Sequence, residues 1–364
     1  MTMIPVYQPR LSGNEKKYVN ECLDSTWISS KGEFINRFES AFSKYIGAEN
    51  CTTVSNGTVA LHLAMAALGI GPGDEVIVPS FTYIASVNTI IQTGAKAVYV
   101  DSLPDTWNID VNDVIAKITT KTKAVMAVHL YGLPCDMDAL VDVCKKHNLF
   151  LIEDCAEAFG TLYKNKHVGT FGDVATFSFF GNKTITTGEG GMVVSKDKNV
   201  HDLACHLKSQ GVSKVKEYWH DALAFNYRMT NICAAIGLAQ LEQADEIIAK
   251  KRDIASWYQR RLNHLPITFH KEIENTRHSF WMCSILVENA QDRDLLRTVL
   301  KSHDVETRPL FPLANTMPHV FTEQKFPIAE NISSRGMNLP SYPELLEKDV
   351  EYICNVISDF YLNK

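Results

Sequence analysis

Two side chains at the ends of apolar segments have the chemical types that covalent amine chemistry requires. Lys183 follows the apolar run at 174–180 and precedes a glycine-rich turn, and Asp154 closely follows the apolar run at 149–152. Pyridoxal phosphate (PLP) needs an amine that forms a Schiff base and a carboxylate that keeps its ring nitrogen protonated. The pair is therefore consistent with a PLP site. Either residue could instead be ordinary, since most lysines are solvated and strand-end aspartates often form turns.

The segment before the first long apolar helix offers a place for a phosphate group. Ser55 or Asn56 can cap a helix that starts near Gly57 and Thr58 and continues through the apolar run at 59–68. A glycine lets the backbone approach a ligand, and the free N–H groups and dipole of a helix N-terminus attract phosphate. The same pattern also occurs as a plain helix cap, and the sequence has no Walker-type phosphate loop.

Taken together, these segments resemble the DegT/DnrJ/StrS family of sugar aminotransferases over essentially the whole chain. The resemblance rests on Ser-Phe-Phe-Gly-Asn-Lys at 178–183, where the family usually has Ser-Phe-His-x-x-Lys, and on the motifs at 26–32, 128–132 and 227–231. It implies a PLP enzyme of fold type I, with pyridoxamine phosphate formed during turnover. It also implies transfer of an amino group from L-glutamate to C4 of a nucleotide-linked keto sugar, and the motif variants indicate GDP-4-keto-6-deoxy-D-mannose, a precursor of surface polysaccharide (O-antigen).

The same resemblance assigns roles around the cofactor ring. Lys183 would hold the cofactor and transfer protons, Asp154 would pair with the ring nitrogen, and Tyr83 would stack on the ring. Tyr83 could equally be a core residue. Glu157 would lie near the ring face or the 3-hydroxyl, although the family often has glutamine there. His129 could orient neighbouring groups or be a satisfied core histidine.

Further roles concern the phosphate and the nucleotide sugar. The expected phosphate contacts are Gly57, Thr58, Ser178 and, from the other subunit, Asn226. The expected contacts with the nucleotide sugar are Trp27, Ser29, Lys31, Arg228 and Arg308. The reach of Asn226 implies a homodimer with two shared sites. The alternative reading of that segment is a helix cap with an exposed arginine.

Composition excludes several other classes of protein. The chain has 364 residues, 45% apolar and 21% charged, with a net charge of −6. These values are typical of a globular enzyme and argue against a nucleic-acid-binding surface. Nine scattered cysteines without a CxxC pair indicate reduced thiols rather than disulfides or zinc ligands. We expect a cytoplasmic protein without a metal, a signal peptide or a membrane segment.

The elements that must position these residues alternate between strand-like and helical patterns. Strands are predicted at 75–79, 97–101, 124–130, 150–154, 175–179 and 191–195, with helices at 60–68, 84–93, 136–147 and 200–209. This alternation predicts an α/β fold with a mostly parallel sheet and helices on both faces. Ligands bind such sheets at the carboxyl ends of the strands, where Tyr83, Asp154 and Ser178 fall.

The pattern changes after about residue 240. A long amphipathic helix at 244–265 is followed by a strand at 281–287, helices at 292–303 and 348–361, and a loop at 331–335. We therefore expect a large PLP-binding α/β domain at 1–240 and a small C-terminal α+β domain at 241–364.

Three rival functions remain at this stage. One branch of the family has histidine in place of the lysine and removes a sugar hydroxyl, which Lys183 argues against. A second possibility is the same chemistry on a UDP- or dTDP-linked sugar. A third is a PLP-binding regulator without turnover, which the acidic balance of the chain disfavours.

Overall fold

The computed structural model describes residues 3–364. The strands are β1 (Asn50–Val54), β2 (Glu75–Pro79), β3 (Lys96–Val100), β4 (Thr122–Val128), β5 (Phe150–Asp154), β6 (Leu162–Tyr163), β7 (Lys166–His167), β8 (Val174–Ser178), β9 (Gly191–Ser195), β10 (Thr268–Phe269), β11 (Thr276–Arg277), β12 (Cys283–Leu286), β13 (Arg308–Pro309) and β14 (Gly336–Leu339). The helices are α1 (Glu15–Asp24), α2 (Glu33–Ile46), α3 (Gly57–Ala67), α4 (Ile84–Gln92), α5 (Val111–Lys117), α6 (Met137–His147), α7 (Lys198–Lys208), α8 (Asn231–Glu242), α9 (Ala244–Leu262), α10 (Ala290–Ser302), α11 (Pro327–Arg335) and α12 (Glu347–Leu362).

A seven-stranded sheet forms the centre of the molecule, in the order β1-β9-β8-β5-β4-β2-β3. All its neighbouring pairs are parallel except those of β9, which runs antiparallel to both β1 and β8. The predicted mostly parallel α/β sheet is therefore confirmed, and each of the six predicted strands lies within two residues of an observed one. The parallel strands present their carboxyl ends at one edge, where a ligand site is expected.

Helices cover both faces of this sheet, as predicted. Within β4, Val125 and Ala127 pack into one hydrophobic core with α2, α6 and α8, whereas Met126 and Val128 pack into another core with α3, α4 and α7. This alternation follows from the two-residue period of a strand. Burial on both faces explains why these strands read as continuous apolar runs.

The C-terminal part of the chain builds a second sheet and a third core. The strands β10, β12, β14 and β13 form an antiparallel sheet, and α9, α10 and α12 pack against it. The division of the chain near residue 240 remains a prediction. None of the helices in residues 3–364 is long and apolar enough to cross a bilayer.

One predicted loop is wrong: residues 331–335 form the last turn and a half of α11. Pro327 occupies the first turn of this helix, where its fixed φ angle and missing N–H are tolerated. Ala329 and Ile332 are three residues apart and both pack into the core beside α3 and α4. Burial of this face stabilises a helix whose exposed face is polar and whose short sequence gave little periodic signal.

Candidate active site

The predicted phosphate contacts meet at the carboxyl edge of the central sheet. Gly57 is the first residue of α3, and the side chain of Asn56 caps this helix by accepting a hydrogen bond from the N–H of Val59 at 3.0 Å. Ser178 ends β8 directly beside Gly57, and a Cβ atom on Gly57 would lie 2.7 Å from the Cβ of Ser178. Thr58 is exposed on the same helical turn. The absence of a side chain at Gly57 therefore lets the helix N-terminus and a serine hydroxyl share one small space.

Lys183 lies in the turn that follows β8, and its N–H donates to the carbonyl of Phe180 at 2.9 Å. Its Nζ is 3.9 Å from the ring centroid of Trp281. Burial lowers the pKa of this amine, while the carboxyl groups of Glu157 and Asp154 act in the opposite direction. The two predicted acids and the amine are thus close enough to interact electrostatically.

Asp154 ends β5 and is buried. One of its carboxylate oxygens accepts from the Ser86 hydroxyl at 2.8 Å, and the other accepts from the N–H of Ala156 at 3.1 Å. Burial raises the pKa of Asp154, and the hydrogen bond from Ser86 opposes this effect. Two donors fix the orientation of this buried carboxylate, so it can form a charge-assisted hydrogen bond with a cationic partner.

Glu157 is also buried, and its Oε2 accepts from the backbone N–H of Tyr131 at 2.7 Å. Burial raises the pKa of Glu157 to about 7, although Lys183 lowers it. Tyr131 has a φ of 51°, an uncommon value for a residue with a side chain. This backbone conformation directs the Tyr131 N–H toward Glu157, whose carboxyl group interacts electrostatically with Lys183.

An aromatic wall borders the site, and sequence reasoning did not assign it. Tyr131 stacks against Trp281 at a centroid distance of 6.0 Å and against Phe311 at 5.2 Å. The Tyr131 hydroxyl accepts from the N–H of Phe311 at 3.0 Å. Tyr83 is 56% exposed and lies 5.5 Å from the Phe311 ring, so it is not a core residue. The wall consists of Tyr131, Trp281 and Phe311. Tyr131 belongs to the motif at 128–132, whereas no local signal marked Trp281 or Phe311.

A buried pair below the site fixes the end of β5. His129 Nε2 lies 3.1 Å from Glu153 Oε2, and His129 Nδ1 accepts from the N–H of Cys135 at 3.1 Å. Glu153 also accepts three backbone N–H bonds from residues 169–172 at 2.6–2.8 Å. One possible ligand atom from each of Cys155, His129 and Glu153 lies within 4.8 Å of the others, a spacing that a metal site could have. The nitrogen atoms of His129 and the carboxylate of Glu153 already form hydrogen bonds within the protein, so we interpret the pair as a structural element that supports the adjacent Asp154.

Four of the five predicted nucleotide-sugar contacts, Trp27, Ser29, Lys31 and Arg308, lie in segments other than those that carry Lys183 and Asp154. Trp27 and Lys31 line an open cavity of about 690 Å³, and the carbonyls of Trp27 and Ser29 accept from Asn231 at 2.7 and 2.6 Å. Arg308 is on β13, where it pairs with Glu306 at 2.8 Å. In residues 3–364 no hydrogen bond or ion pair joins these side chains to Lys183 or Asp154.

The remaining predicted residues, Asn226 and Arg228, lie near the start of α3. The Arg228 Nε donates to Asn226 Oδ1 at 3.1 Å, and the carbonyl of Tyr227 accepts from the N–H of Ser55 at 2.8 Å. Asn226 is exposed. The segment is therefore beside the helix N-terminus, with the Asn226 side chain facing outward.

The residues of the site fit PLP as a ligand. An amine, a fixed buried carboxylate and a helix N-terminus without a side chain match its aldehyde, ring nitrogen and phosphate. In addition, the buried Asn182 Oδ1 and Thr184 Oγ1 flank Lys183 and have no hydrogen-bond partner among residues 3–364. Buried polar atoms are rarely left unpaired, so these two atoms indicate that the site receives a further group.

Known proteins resemble this chain over its full length. Residues 9–358 match the DegT/DnrJ/EryC1/StrS aminotransferase family. The chain is 59% identical to GDP-perosamine synthase of Escherichia coli O157:H7 over 100% of both chains, and 55% identical to GDP-perosamine synthase of Vibrio cholerae over 99% of both. Its fold superposes on the crystal structure of the aminotransferase TlmJ from Streptoalloteichus hindustanus with a TM-score of 0.95, 29% identity and 99% coverage of both chains. The chain therefore belongs to the DegT/DnrJ/EryC1/StrS aminotransferase family.

Proposed function

We propose that this protein is a PLP-dependent aminotransferase that moves the amino group of L-glutamate to C4 of GDP-4-keto-6-deoxy-D-mannose and forms GDP-perosamine. The observation that carries the substrate is the 59% and 55% identity to two GDP-perosamine synthases over the full length of each. The site residues support the chemistry, because an amine, a buried carboxylate and a phosphate cradle meet at one sheet edge. The identity favours a GDP-linked sugar over UDP- or dTDP-linked ones.

Each residue of the site then has one task. Bound PLP supplies an electron sink for the carbon that carries the migrating amino group. Lys183 Nζ holds the cofactor between turnovers, and afterwards takes and returns the proton at that carbon. Burial lowers the pKa of this amine, which favours the neutral form that a base requires. Asp154 keeps a proton on the ring nitrogen, and Gly57 and Ser178 donate to the phosphate.

Glu157 and the aromatic wall complete this assignment. With a pKa raised to about 7, Glu157 holds a proton near Lys183 during part of the cycle. Tyr83 projects from the protein at the edge of the wall, where its ring can cover one face of the cofactor. Trp281 lies beside the lysine, and the wall as a whole keeps water from the reacting carbon.

The active unit in this proposal is a homodimer. The segment at 212–223 exposes large apolar side chains, with Val215 96%, Tyr218 99% and Leu223 96% accessible. Apolar groups exposed to this degree in one short segment are typical of a surface that packs on a partner. Because this segment leads into Asn226, its docking on a second copy would carry Asn226 toward the partner's phosphate cradle.

The proposed reaction is tested with 15N-labelled glutamate and a panel of GDP-, UDP- and dTDP-linked 4-keto-6-deoxy sugars. We expect the label to appear at C4 of the GDP sugar and 2-oxoglutarate to form in equal amount. Much faster conversion of a UDP or dTDP sugar would contradict the substrate. A product that has lost a hydroxyl and gained no amine would contradict the reaction, and binding of PLP without any turnover would favour a regulator.

Mixed dimers test whether the sites are shared. Asn226→Ala should damage the partner's site, and Lys183→Ala should damage the site of its own chain, so each homodimer should be nearly inactive. In a heterodimer one site carries both changes and the other carries neither, which restores about half of the activity per heterodimer by counting intact sites. If purified heterodimers stay as inactive as the two parents, Asn226 acts within its own chain.

A further inference from the structure

The backbone of the turn that carries Lys183 is held by two side chains from outside the central sheet. The hydroxyl of Tyr7 donates a hydrogen bond to the carbonyl of Lys183, and the Trp281 Nε1–H donates to the carbonyl of Asn182 at 2.7 Å. We propose that Tyr7 and Trp281 are positioning residues that together fix the Lys183 turn for amino transfer. This inference rests on the function proposed for Lys183.

Tyr7 is itself fixed, because the segment at 4–7 is fastened to the C-terminal part of the chain. The N–H of Ile4 donates to the carbonyl of Asp304 at 2.8 Å, and the carbonyl of Ile4 accepts from Glu306 at 2.9 Å. The N–H of Val6 donates to the Glu306 carboxylate at 3.1 Å, and its carbonyl accepts from Ser341 at 3.1 Å. Tyr7 follows directly, so its hydroxyl reaches Lys183 from a rigid base.

The chain beyond Tyr7 is fastened as well. Arg10 forms ion pairs with Glu246 at 2.8 Å and with Glu344 at 2.9 Å, and its carbonyl accepts from Gln240 Nε2 at 2.7 Å. The side chain of Arg10 is only 14% exposed, so it is held on several sides. The segment is thus held on both sides of Tyr7. The Tyr7 hydroxyl can therefore restrain the Lys183 turn, because Tyr7 itself has a fixed position.

The Tyr7 hydroxyl is a dependable donor. Burial raises the pKa of Tyr7, so the hydroxyl keeps its proton throughout the range in which an enzyme works. The Nζ of Lys251 lies 5.3 Å from the Tyr7 ring centroid and donates to the carbonyl of Ser341. The ring is therefore packed as well as hydrogen-bonded, and replacement by phenylalanine would remove the restraint on Lys183 while keeping the packing.

The two hydrogen bonds are made to the successive carbonyls of residues 182 and 183. These residues lie between β8 and β9, outside the hydrogen-bonded strands of the sheet. The position of Lys183 Nζ relative to Asp154 and Glu157 follows from the position of this turn. A reacting group that is displaced by a fraction of an ångström loses rate rather than substrate affinity. The amine would also sit differently among the charges that set its protonation, so the pH response of the bound cofactor should move.

The test compares Tyr7→Phe and Trp281→Phe with Tyr99→Phe in the PLP-loaded protein. Tyr99 is the control, because its hydroxyl also faces a backbone carbonyl, that of Val320 at 3.5 Å, on the edge strand β3, and it contacts neither the Lys183 turn nor the anchors of Tyr7. The measurements are kcat and KM for both substrates, the pH midpoint of the visible absorption of bound cofactor, and the thermal midpoint.

We expect Tyr7→Phe and Trp281→Phe to lower kcat by about tenfold or more, with KM for glutamate within about twofold, and to displace the pH midpoint. Tyr99→Phe should at most lower the thermal midpoint and leave kcat and the pH midpoint unchanged. If the first two variants match Tyr99→Phe in both readouts, the proposal is wrong. Tyr7→Phe decides the test, since it removes one bond to the turn and no contact with Lys183 Nζ, whereas Trp281→Phe also changes the ring that lies 3.9 Å from that amine.

Failure of the proposed function would look different. In that case the wild-type protein would transfer no label from glutamate, whatever the variants do. The pH midpoint of bound cofactor would still report on the position of Lys183, because it needs no turnover. If the wild type is inactive but the variants displace the pH midpoint, the positioning role stands and the proposed reaction is wrong. If the wild type turns over normally but the variants leave the midpoint unmoved, the reaction stands and the positioning role is wrong.

Discussion

Replacement of Asp154 by asparagine removes one charge and almost no volume. Ser86 and the N–H of Ala156 now donate to the two carboxylate oxygens, at 2.8 and 3.1 Å. An asparagine can keep the bond from Ala156 through its oxygen and donate through its NH₂ to the Ser86 hydroxyl. The fold should therefore survive, and the main loss falls on the partner that needs a negative charge, the protonated ring nitrogen of the cofactor.

The magnitude follows from the burial of Asp154. A hydrogen bond to a charged group contributes about 1.5–3 kcal/mol, which corresponds to a factor of about 10–150 in a binding constant. We therefore expect Asp154→Asn to weaken the binding of PLP by that factor. Because the ring nitrogen must also stay protonated while charge develops, kcat at saturating cofactor should fall by a further factor of about 100–1,000.

The assay is equilibrium titration of apoprotein with PLP, followed by turnover at saturating cofactor. Asp173→Asn is the matched control, since Asp173 also accepts a backbone N–H, that of Leu151 at 2.8 Å, near the opposite end of β5. It should leave cofactor affinity and kcat within about twofold of wild type. If Asp154→Asn behaves like this control, the assignment of Asp154 to the ring nitrogen is wrong.

Three further predictions concern the lysine, the phosphate cradle and acid stability. Lys183→Ala should keep the fold and bind PLP without a reducible covalent link, and turnover should fall at least about a hundredfold; near-normal rates would contradict its role. Gly57→Ala would place a Cβ 2.7 Å from the Ser178 Cβ, so the Kd for PLP should rise about tenfold or more; an unchanged Kd in the same titration would contradict the cradle. Burial lowers the pKa of His270 to about 4 and that of His278 well below its ordinary 6.5, so the unfolded chain takes up protons first. The neutral His270 should therefore cost the fold up to about 3 kcal/mol as the pH drops from 6.5 toward 4, and a His270→Gln variant whose denaturant midpoint falls between pH 7 and 5 as steeply as that of the wild type would contradict this.

The sheet and the centre of the site were predictable from local signals. Glu75–Pro79, Phe150–Asp154 and Gly191–Ser195 coincide with their predicted strands, because strands buried on both faces are apolar runs between turn-forming residues. Lys183 and Asp154 were expected to meet because the carboxyl ends of neighbouring strands lie at one edge. The apolar strands and the shared edge of their carboxyl ends were thus the basis of this expectation.

The surroundings of Lys183 were not predictable in the same way. Tyr7 hydrogen-bonds the turn from 176 residues away in sequence and Trp281 from 99 residues away, so no spacing or periodicity marks them. Tyr131 lies in a recognised motif, but its left-handed backbone shows only in the structure. The predicted sugar contacts, such as Lys31, lie largely in loops, whose course no periodicity predicts.

Reductive trapping tests the central claim most directly. Borohydride treatment of the yellow PLP-loaded protein, followed by peptide mapping, reports which amine carries the cofactor. We expect one cofactor per chain, attached to Lys183. Lys251 is the most informative alternative, because burial lowers its pKa to about 8 and its amine pairs with no carboxylate among residues 3–364. A reduced adduct on Lys251, or on any lysine other than Lys183, would contradict the account.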